Sequence, residues 1–245
     1  MLITPVARFQ SPMTSKFGIP RQSGLVESLP GRIVLEPDYR HEEAVRGLAE
    51  FSHLWLIWEF SANAGHAAST ATSVESGNGD GTAAPVHLTV RPPRLGGNER
   101  IGVFASRSPF RPNRLGLSAV RLKRIEMTRT LGPVIHVEGA DLMDGTPIYD
   151  IKPYVAYADA HPDARSGFVD RTAWQQLEVC LPEQFGRLFT DEERQGLVGV
   201  LAQDPRPRYH DDAERVYGMP FAGRDVRFRV EDGRLTVVGV TRART

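Results

Sequence analysis

Residues 117–154 read LSAVRLKRIEMTRTLGPVIHVEGADLMDGTPIYDIKPY. Three runs in this stretch, 117–126, 133–139 and 148–154, are rich in β-branched and apolar residues, and Gly and Pro punctuate the gaps between them. Each gap is too short for a crossover helix. Strands at such spacing point to an antiparallel barrel or curled sheet rather than a βαβ fold.

The same signal continues upstream. VHLTVR (86–91) and IGVFA (101–105) read as strands, as do GRIVLE (31–36) and FSHLWLIWEF (51–60), with HEEAVRGL (41–48) as a short helix between the last two. Residues 61–84 break the pattern. They are small, polar and without period, which predicts a flexible surface loop. Within it GNGDG (77–81) has the spacing of a nucleotide-binding glycine loop, but it follows no strand and opens no amphipathic helix, so the phosphate-binding mechanism is missing.

Downstream of about residue 165 the character changes. RTAWQQLEVCLPEQFGRLF (171–189) and TDEERQGLVGVLAQ (190–203) carry a helical period. The second opens with Thr190 and Glu193 at capping-box spacing and is ended by Pro205 and Pro207. RDVRFRVEDGRLTVVGV (224–240) predicts a hairpin turning at Asp232-Gly233. The expected architecture is mainly β: a barrel over residues 1–165, interrupted by the 61–84 insertion, and a small α+β domain over 166–245.

Composition narrows the class. Hydrophobic content of 40% and charged content of 24% are those of a soluble globular chain. A single cysteine, Cys180, excludes an internal disulfide and a multi-cysteine zinc site, and reads as a small buried hydrophobe. The apolar run LWLIW (54–58) is far too short to span a membrane, and the N-terminus lacks secretory features, so a cytoplasmic location is expected. The formal charge is zero, yet nine basic residues and one acid lie between Arg91 and Arg124, a local excess of about eight. Eight of the nine are arginines, set among prolines and Gly96-Gly97. That pattern suits bidentate contacts with phosphate or carboxylate better than a solvated face.

Other chemistry is sparse. The seven histidines (His41, His53, His66, His87, His136, His161 and His210) are scattered without ligand spacing, and no metal is expected. Ser52 and His53 do not read as a catalytic dyad, because neighbours within a strand face opposite ways. Asp144 heads a β-turn and Lys152 reads as an ion-pair partner of a nearby acid. Asp141 at the end of a strand is either a loop cap or a functional carboxylate.

Four segments, FGIPRQSGL (17–25), AVRGLAEFSHLWLIWEF (44–60), VRPPRLGGNERIGVFASRSPFRPNRLGLSAVRL (90–122) and DLMDGTPIYDIKPYVAYAD (141–159), closely resemble the TsaA/TrmO family. The C-terminal LAQDPRPRYH, RVYGMPF and DVRFRV resemble its longer, two-domain members. The resemblance implies a small non-Rossmann β-barrel methyltransferase that uses S-adenosylmethionine and acts as a homodimer. Its reaction is N6-methylation of threonylcarbamoyl-adenosine at position 37, beside the tRNA anticodon.

Carried onto this chain, the resemblance places the cofactor at Ser23, Gly24 and Leu25; Ser61 and Ala62; Arg107; Leu117; and Glu138, Gly139, Ala140 and Asp141. Ser61 stands where relatives often carry histidine. Arg91, Arg94, Arg111 and Arg114 are assigned to the tRNA, and Asp141 and Asp144 are the candidate catalytic carboxylates. An RNA-binding barrel without catalysis, and a methyltransferase with another substrate, are the alternatives.

Overall fold

The computed structural model describes residues 2–63, 73–74, 86–92, 95, 99–172, 175–206 and 212–243. Arg94, Gly96, Gly97, Pro207 and most of the expected loop 61–84, with its GNGDG, lie outside these residues.

Ala7–Gln10 (β1), Pro30–Leu35 (β2) and His53–Glu59 (β3) open the chain. Ser73–Val74 (β4) pairs with Val86–His87 (β5), and Thr89–Val90 (β6) with Ile101–Gly102 (β7). Leu115–Thr128 (β8), Gly132–Glu138 (β9) and Pro147–Pro153 (β10) follow, then one turn of helix at Ala156–Asp159 (α1). The C-terminal region comprises Glu178–Cys180 (β11), Glu183–Gly186 (α2), Asp191–Ala202 (α3), Tyr217–Phe221 (β12), Arg224–Glu231 (β13) and Arg234–Arg242 (β14).

Six strands close a barrel in the order β1-β10-β3-β8-β9-β2. The three runs of residues 117–154 supply β8, β9 and β10, as their spacing predicts. Alternation decides which side chains fill the barrel. From β3 it turns Leu54, Leu56 and Trp58 inward, and from β8 Ser118 and Val120; Phe9, Ile33, Ile135 and Ile148 are likewise buried from the other strands. Removing each large apolar side chain from water contributes about 1.5–3 kcal/mol. Gly31 permits the closest packing on β2, since a Cβ there would overlap the Phe9 ring.

The chain folds as two compact units: Met1–Trp58 with Leu117–Ala160 and Gln175–Thr245, and Glu59–Gly116 with His161–Trp174. In the first, the barrel is accompanied by a sheet of order β11-β14-β13-β12. Leu197, Val200 and Leu201 of α3 pack on Phe221, Val226 and Phe228 of that sheet, and Met13, Val26 and Leu29 join the same core. The capping box forms as expected: Glu193 N donates to Thr190 Oγ1, and Thr190 N donates to Glu193 Oε2. The hairpin turns at Asp232 and Gly233, both at positive φ (45° and 76°). In the second unit Val103 is buried, and its amide donates to Leu88 O at 2.9 Å.

Four expectations are corrected. The helical period of 171–189 does not become one helix among the described residues: Glu178–Cys180 forms β11, parallel to Arg234–Thr236, and only one helical turn follows Pro182. The 101–105 run is strand only at Ile101–Gly102 and then turns 3-10 at Val103–Ala105. HEEAVRGL likewise makes only a 3-10 turn, Glu42–Val45. Cys180 is half-buried rather than enclosed. Among the described residues no helix is long and apolar enough to cross a membrane.

Candidate active site

In the first unit the site residues sit where two backbone segments meet. Gly24 N donates to Gly139 O at 2.8 Å, and Gly139 N donates to Leu29 O at 3.0 Å. Both glycines hold φ near +80° (81° and 80°), a conformation that side chains rarely tolerate. A Cβ at Gly139 would lie 3.7 Å from Gly24 N, so the two backbones run close together. Ser23 and Leu25 flank one glycine; Glu138 and the buried Ala140 flank the other. The Glu138 carboxylate is held by Lys123 Nζ at 2.7 Å.

Asp141 follows directly, and its position is set from inside the barrel. Trp58 Nε1 donates to Ser118 Oγ at 2.9 Å, and Ser118 Oγ donates to Asp141 Oδ1 at 2.6 Å. Ser118 is 1% exposed and Trp58 6%. An indole N–H and a hydroxyl at that depth need partners, and this chain of bonds supplies them. Leu117, one residue earlier on β8, faces out and is 56% exposed. Asp144 is placed differently. Its Oδ1 accepts from Ser11 N at 2.9 Å and its amide donates to Met13 O at 2.8 Å, so it ties the turn before β10 to the end of β1.

In the second unit the arginine loop is braced by its own polar groups. Ser106 Oγ donates to Val103 O (2.9 Å) and accepts from Ser108 N (3.3 Å), while Arg111 Nη1 donates to Ser106 O (2.8 Å). Arg114 N donates to Arg111 O at 3.2 Å, and Arg114 adopts a φ of 46°. Arg114 Nη2 lies 3.4 Å from Glu59 Oε1, and Arg114 O accepts from Phe60 N. Ser61 and Ala62 begin the 3-10 turn Ser61–Asn63 shortly after β3. Arg107 and Arg91 are exposed; Arg94 lies outside the described residues.

The structure thus brings Ser23–Leu25 beside Glu138–Asp141 within the first unit, and groups Arg107, Arg111 and Arg114 on one loop of the second. Sequence reasoning missed Trp58 and Ser118, although the alternation of LWLIW and LGLS marks both as inward-facing. It also misjudged Ser52 and His53: Ser52 Oγ lies 2.9 Å from His53 Nδ1, because Ser52 precedes β3 and escapes its alternation. Lys152 behaves as expected, with Nζ 3.0 Å from Asp150 Oδ2. Among the described residues no three His, Cys, Asp or Glu side chains are grouped to hold a metal ion.

The sequence model of the tRNA-methyltransferase O N-terminal domain matches residues 8–160, and that of the TrmO C-terminal domain matches residues 175–243. The chain belongs to the TrmO family. It is 38% identical over 236 residues to the tRNA (adenine(37)-N6)-methyltransferase of Escherichia coli K12, covering 93% of this chain and 92% of that one. It is 36% identical over 233 residues to a putative S-adenosylmethionine-dependent methyltransferase, RcsF, of Pseudomonas aeruginosa, covering 92% and 91%. The crystal structure of TrmO from Pseudomonas aeruginosa superposes with a TM-score of 0.74 at 30% identity, covering 99% of this chain and 97% of that chain. The TrmO match spans the barrel with its Gly24–Gly139 pairing and Asp141, and separately the sheet packed by α3.

Proposed function

We propose that this chain is an S-adenosylmethionine-dependent tRNA methyltransferase acting on N6 of adenine 37, with threonylcarbamoyl-adenosine as the base it modifies. The observation that carries this reading is the collinear match of both TrmO domains to a chain whose relatives are named for that reaction. The division into a catalytic barrel over 1–165 and a C-terminal domain over 166–245 rests on the same two matches, which fall on either side of it.

The residues fit an adenosyl ligand. Ser23–Leu25 and Glu138–Ala140 are mostly small, so a purine and ribose can approach these two backbone segments closely. Ser61, Ala62 and Leu117 complete the assigned contacts. When bound, S-adenosylmethionine supplies an electrophilic methyl group on a sulfonium. Arg107 takes the methionine carboxylate end, since a guanidinium beside the sulfonium would be repulsive. Transfer is an in-line displacement, so the chain's main contribution is to hold amine and donor carbon about 3–3.5 Å apart.

N6 of threonylcarbamoyl-adenosine carries one hydrogen and is a poor nucleophile, because its lone pair is delocalised into both the ring and the carbamoyl carbonyl. A fixed oxygen that accepts a hydrogen bond from the amine orients it and takes its proton as the new bond forms. Asp141, fixed by Ser118, is the residue we assign to that role. Asp144 is the weaker candidate, being committed to Ser11 N. Arg91, Arg94, Arg111 and Arg114 meet anticodon-loop phosphates or the threonyl carboxylate, in an unpaired loop whose base edges are accessible. Exposed Phe104 and Phe110 beside these arginines support a second copy of the chain as partner, and relatives named for a reaction on tRNA support a cytoplasmic location.

The test is transfer of a labelled methyl group to tRNA with and without threonylcarbamoyl-adenosine. Label on the modified tRNA alone is expected. Equal labelling of both would reject the stated specificity. No labelling, together with no heat on titration with S-adenosylhomocysteine, would reject the function.

A further inference from the structure

A polar groove that shares no residue with the glycine pair lies on the barrel wall. It has a volume of about 710 Å³ and is bounded by the outward faces of β1, β2, β9 and β8 and by the first turn of α3. Of the residues assigned from the sequence to the tRNA, none of the described ones, Arg91, Arg111 and Arg114, is among its lining.

The sheet register arranges its floor. Gln10 pairs with Arg32, Arg32 with His136, and His136 with Arg124, so four side chains form one row across four adjacent strands. At about 4.8 Å per strand the row is about 14 Å long. Arg8 and Lys123 extend the basic surface at either end.

Charge accounting shows which groups remain available. Three acids line the groove, and each is engaged: Asp144 by Ser11 N, Glu192 by Lys123 at 2.8 Å, and Glu193 by the Thr190 amide. Arg8 has Glu36 at 3.0 Å. Arg124 has only a long contact, 3.7 Å, to Glu126, whose Oε2 is also 2.8 Å from His136 Nε2. Among the described residues no carboxylate lies within ion-pairing distance of the exposed Arg32. Beside it, the Gln10 carbonyl oxygen is buried with no hydrogen-bond partner.

We propose that this groove is a second RNA-contact surface, in which Arg32 and Arg124 hold backbone phosphates of the tRNA. The inference rests on the proposed function for the identity of the polyanion. Guanidinium groups spread along a row suit a chain of phosphates better than a single anion. Burial and the two arginines keep His136 below its usual protonation range, and a phosphate between Arg32 and Arg124 would offset that repulsion.

The experiment uses the full chain and measures tRNA affinity across a salt series. The double variant Arg32→Ala, Arg124→Ala is expected to bind tRNA roughly tenfold more weakly at low salt. Its slope of log affinity against log salt is expected to fall by about 2, one unit for each phosphate that is no longer neutralised. Heat of binding to S-adenosylhomocysteine and the melting temperature should stay at the parent values. Arg32→Lys with Arg124→Lys, which keeps both charges, should recover most of the slope.

Parent affinity and parent slope in a folded alanine variant would overturn the proposal and leave the proposed function standing. Binding of polyglutamate by the parent but not by the alanine variant, with tRNA affinity unchanged, would also overturn it, in favour of an acidic protein partner. A parent chain that neither binds nor methylates tRNA would overturn both readings.

Discussion

Ser118 donates its hydroxyl proton to Asp141 Oδ1 across 2.6 Å, from inside the barrel to the edge of the glycine pair. Ser118→Ala removes that bond and the one that Ser118 Oγ accepts from Trp58 Nε1, which is 6% exposed. Each lost hydrogen bond costs about 0.5–1.5 kcal/mol, which urea unfolding would register as a lower midpoint at unchanged slope. If Asp141 orients the amine, kcat should fall several-fold beyond any change in cofactor affinity, and Ser118→Thr should recover part of it. A variant that loses stability but keeps kcat would confine the Ser118–Asp141 bond to architecture.

The barrel offers a second, purely structural test. Gly31 faces Phe9, which is 1% exposed, and a methyl group at position 31 would overlap its ring. Phe9 is enclosed in the same core as Ile33 and Ile135, so its ring cannot swing out to water without losing that burial. Gly31→Ala should therefore destabilise the chain by about 1–3 kcal/mol, the usual cost of overpacking. Phe9→Leu in the same background should relieve part of that loss. A Gly31→Ala variant as stable as the parent would mean that β2 can shift against β1.

How much of this was legible beforehand varies with the physics that decides each element. β8, β9 and β10 were readable because period-2 alternation and the turn residues between them are local signals. β11 was not: EVC is three residues long, and its strand character comes from parallel pairing with Arg234–Thr236, more than fifty residues away. β1 and β12 are nearly as short, and Pro220 within β12 masks it further. Asp141 could be singled out by its motif, but what holds it required knowing that Trp58 and Ser118 meet across neighbouring strands. The row of Arg32, His136 and Arg124 was invisible for the same reason. Its members are spread over about a hundred residues and only the register aligns them.

Stability should depend on pH in three separate windows. Burial, with Arg124 as the next cause, lowers the His136 pKa below its usual 6.5. Below about pH 6.5 the unfolded chain therefore binds a proton that the folded chain resists, and stability falls as pH drops through that range. His136→Gln should flatten the unfolding free energy between about pH 7 and 5. Lys123 lowers the Glu192 pKa below 4.5, so that pair's contribution is present above pH 4.5 and is lost as pH falls further. The bond from Glu138, and after it that from Glu192, raises Lys123 above 10.5, so its contribution fails only at more alkaline pH. Glu192→Gln should remove part of the acid loss below pH 4.5 and leave the His136 window intact. Identical curves for parent and both variants would place the acid sensitivity elsewhere.

Arg107 and Arg111 stand four residues apart on one loop, and the proposed function gives them different ligands. Arg107→Ala should weaken S-adenosylhomocysteine binding by more than about tenfold, since the ligand carboxylate loses a charged partner. Arg111 already spends one N–H on Ser106 O, at 2.8 Å, so it braces the loop as well as presenting charge. Arg111→Ala should raise KM for tRNA more than KM for the cofactor. Arg111→Lys separates the two contributions: it retains the charge but not the planar fork, so a partial recovery of tRNA KM measures charge alone. Calorimetry on Arg107→Ala decides the assignment most directly. Unchanged affinity would move the methionine carboxylate to another cation, and the loop would then serve the RNA alone.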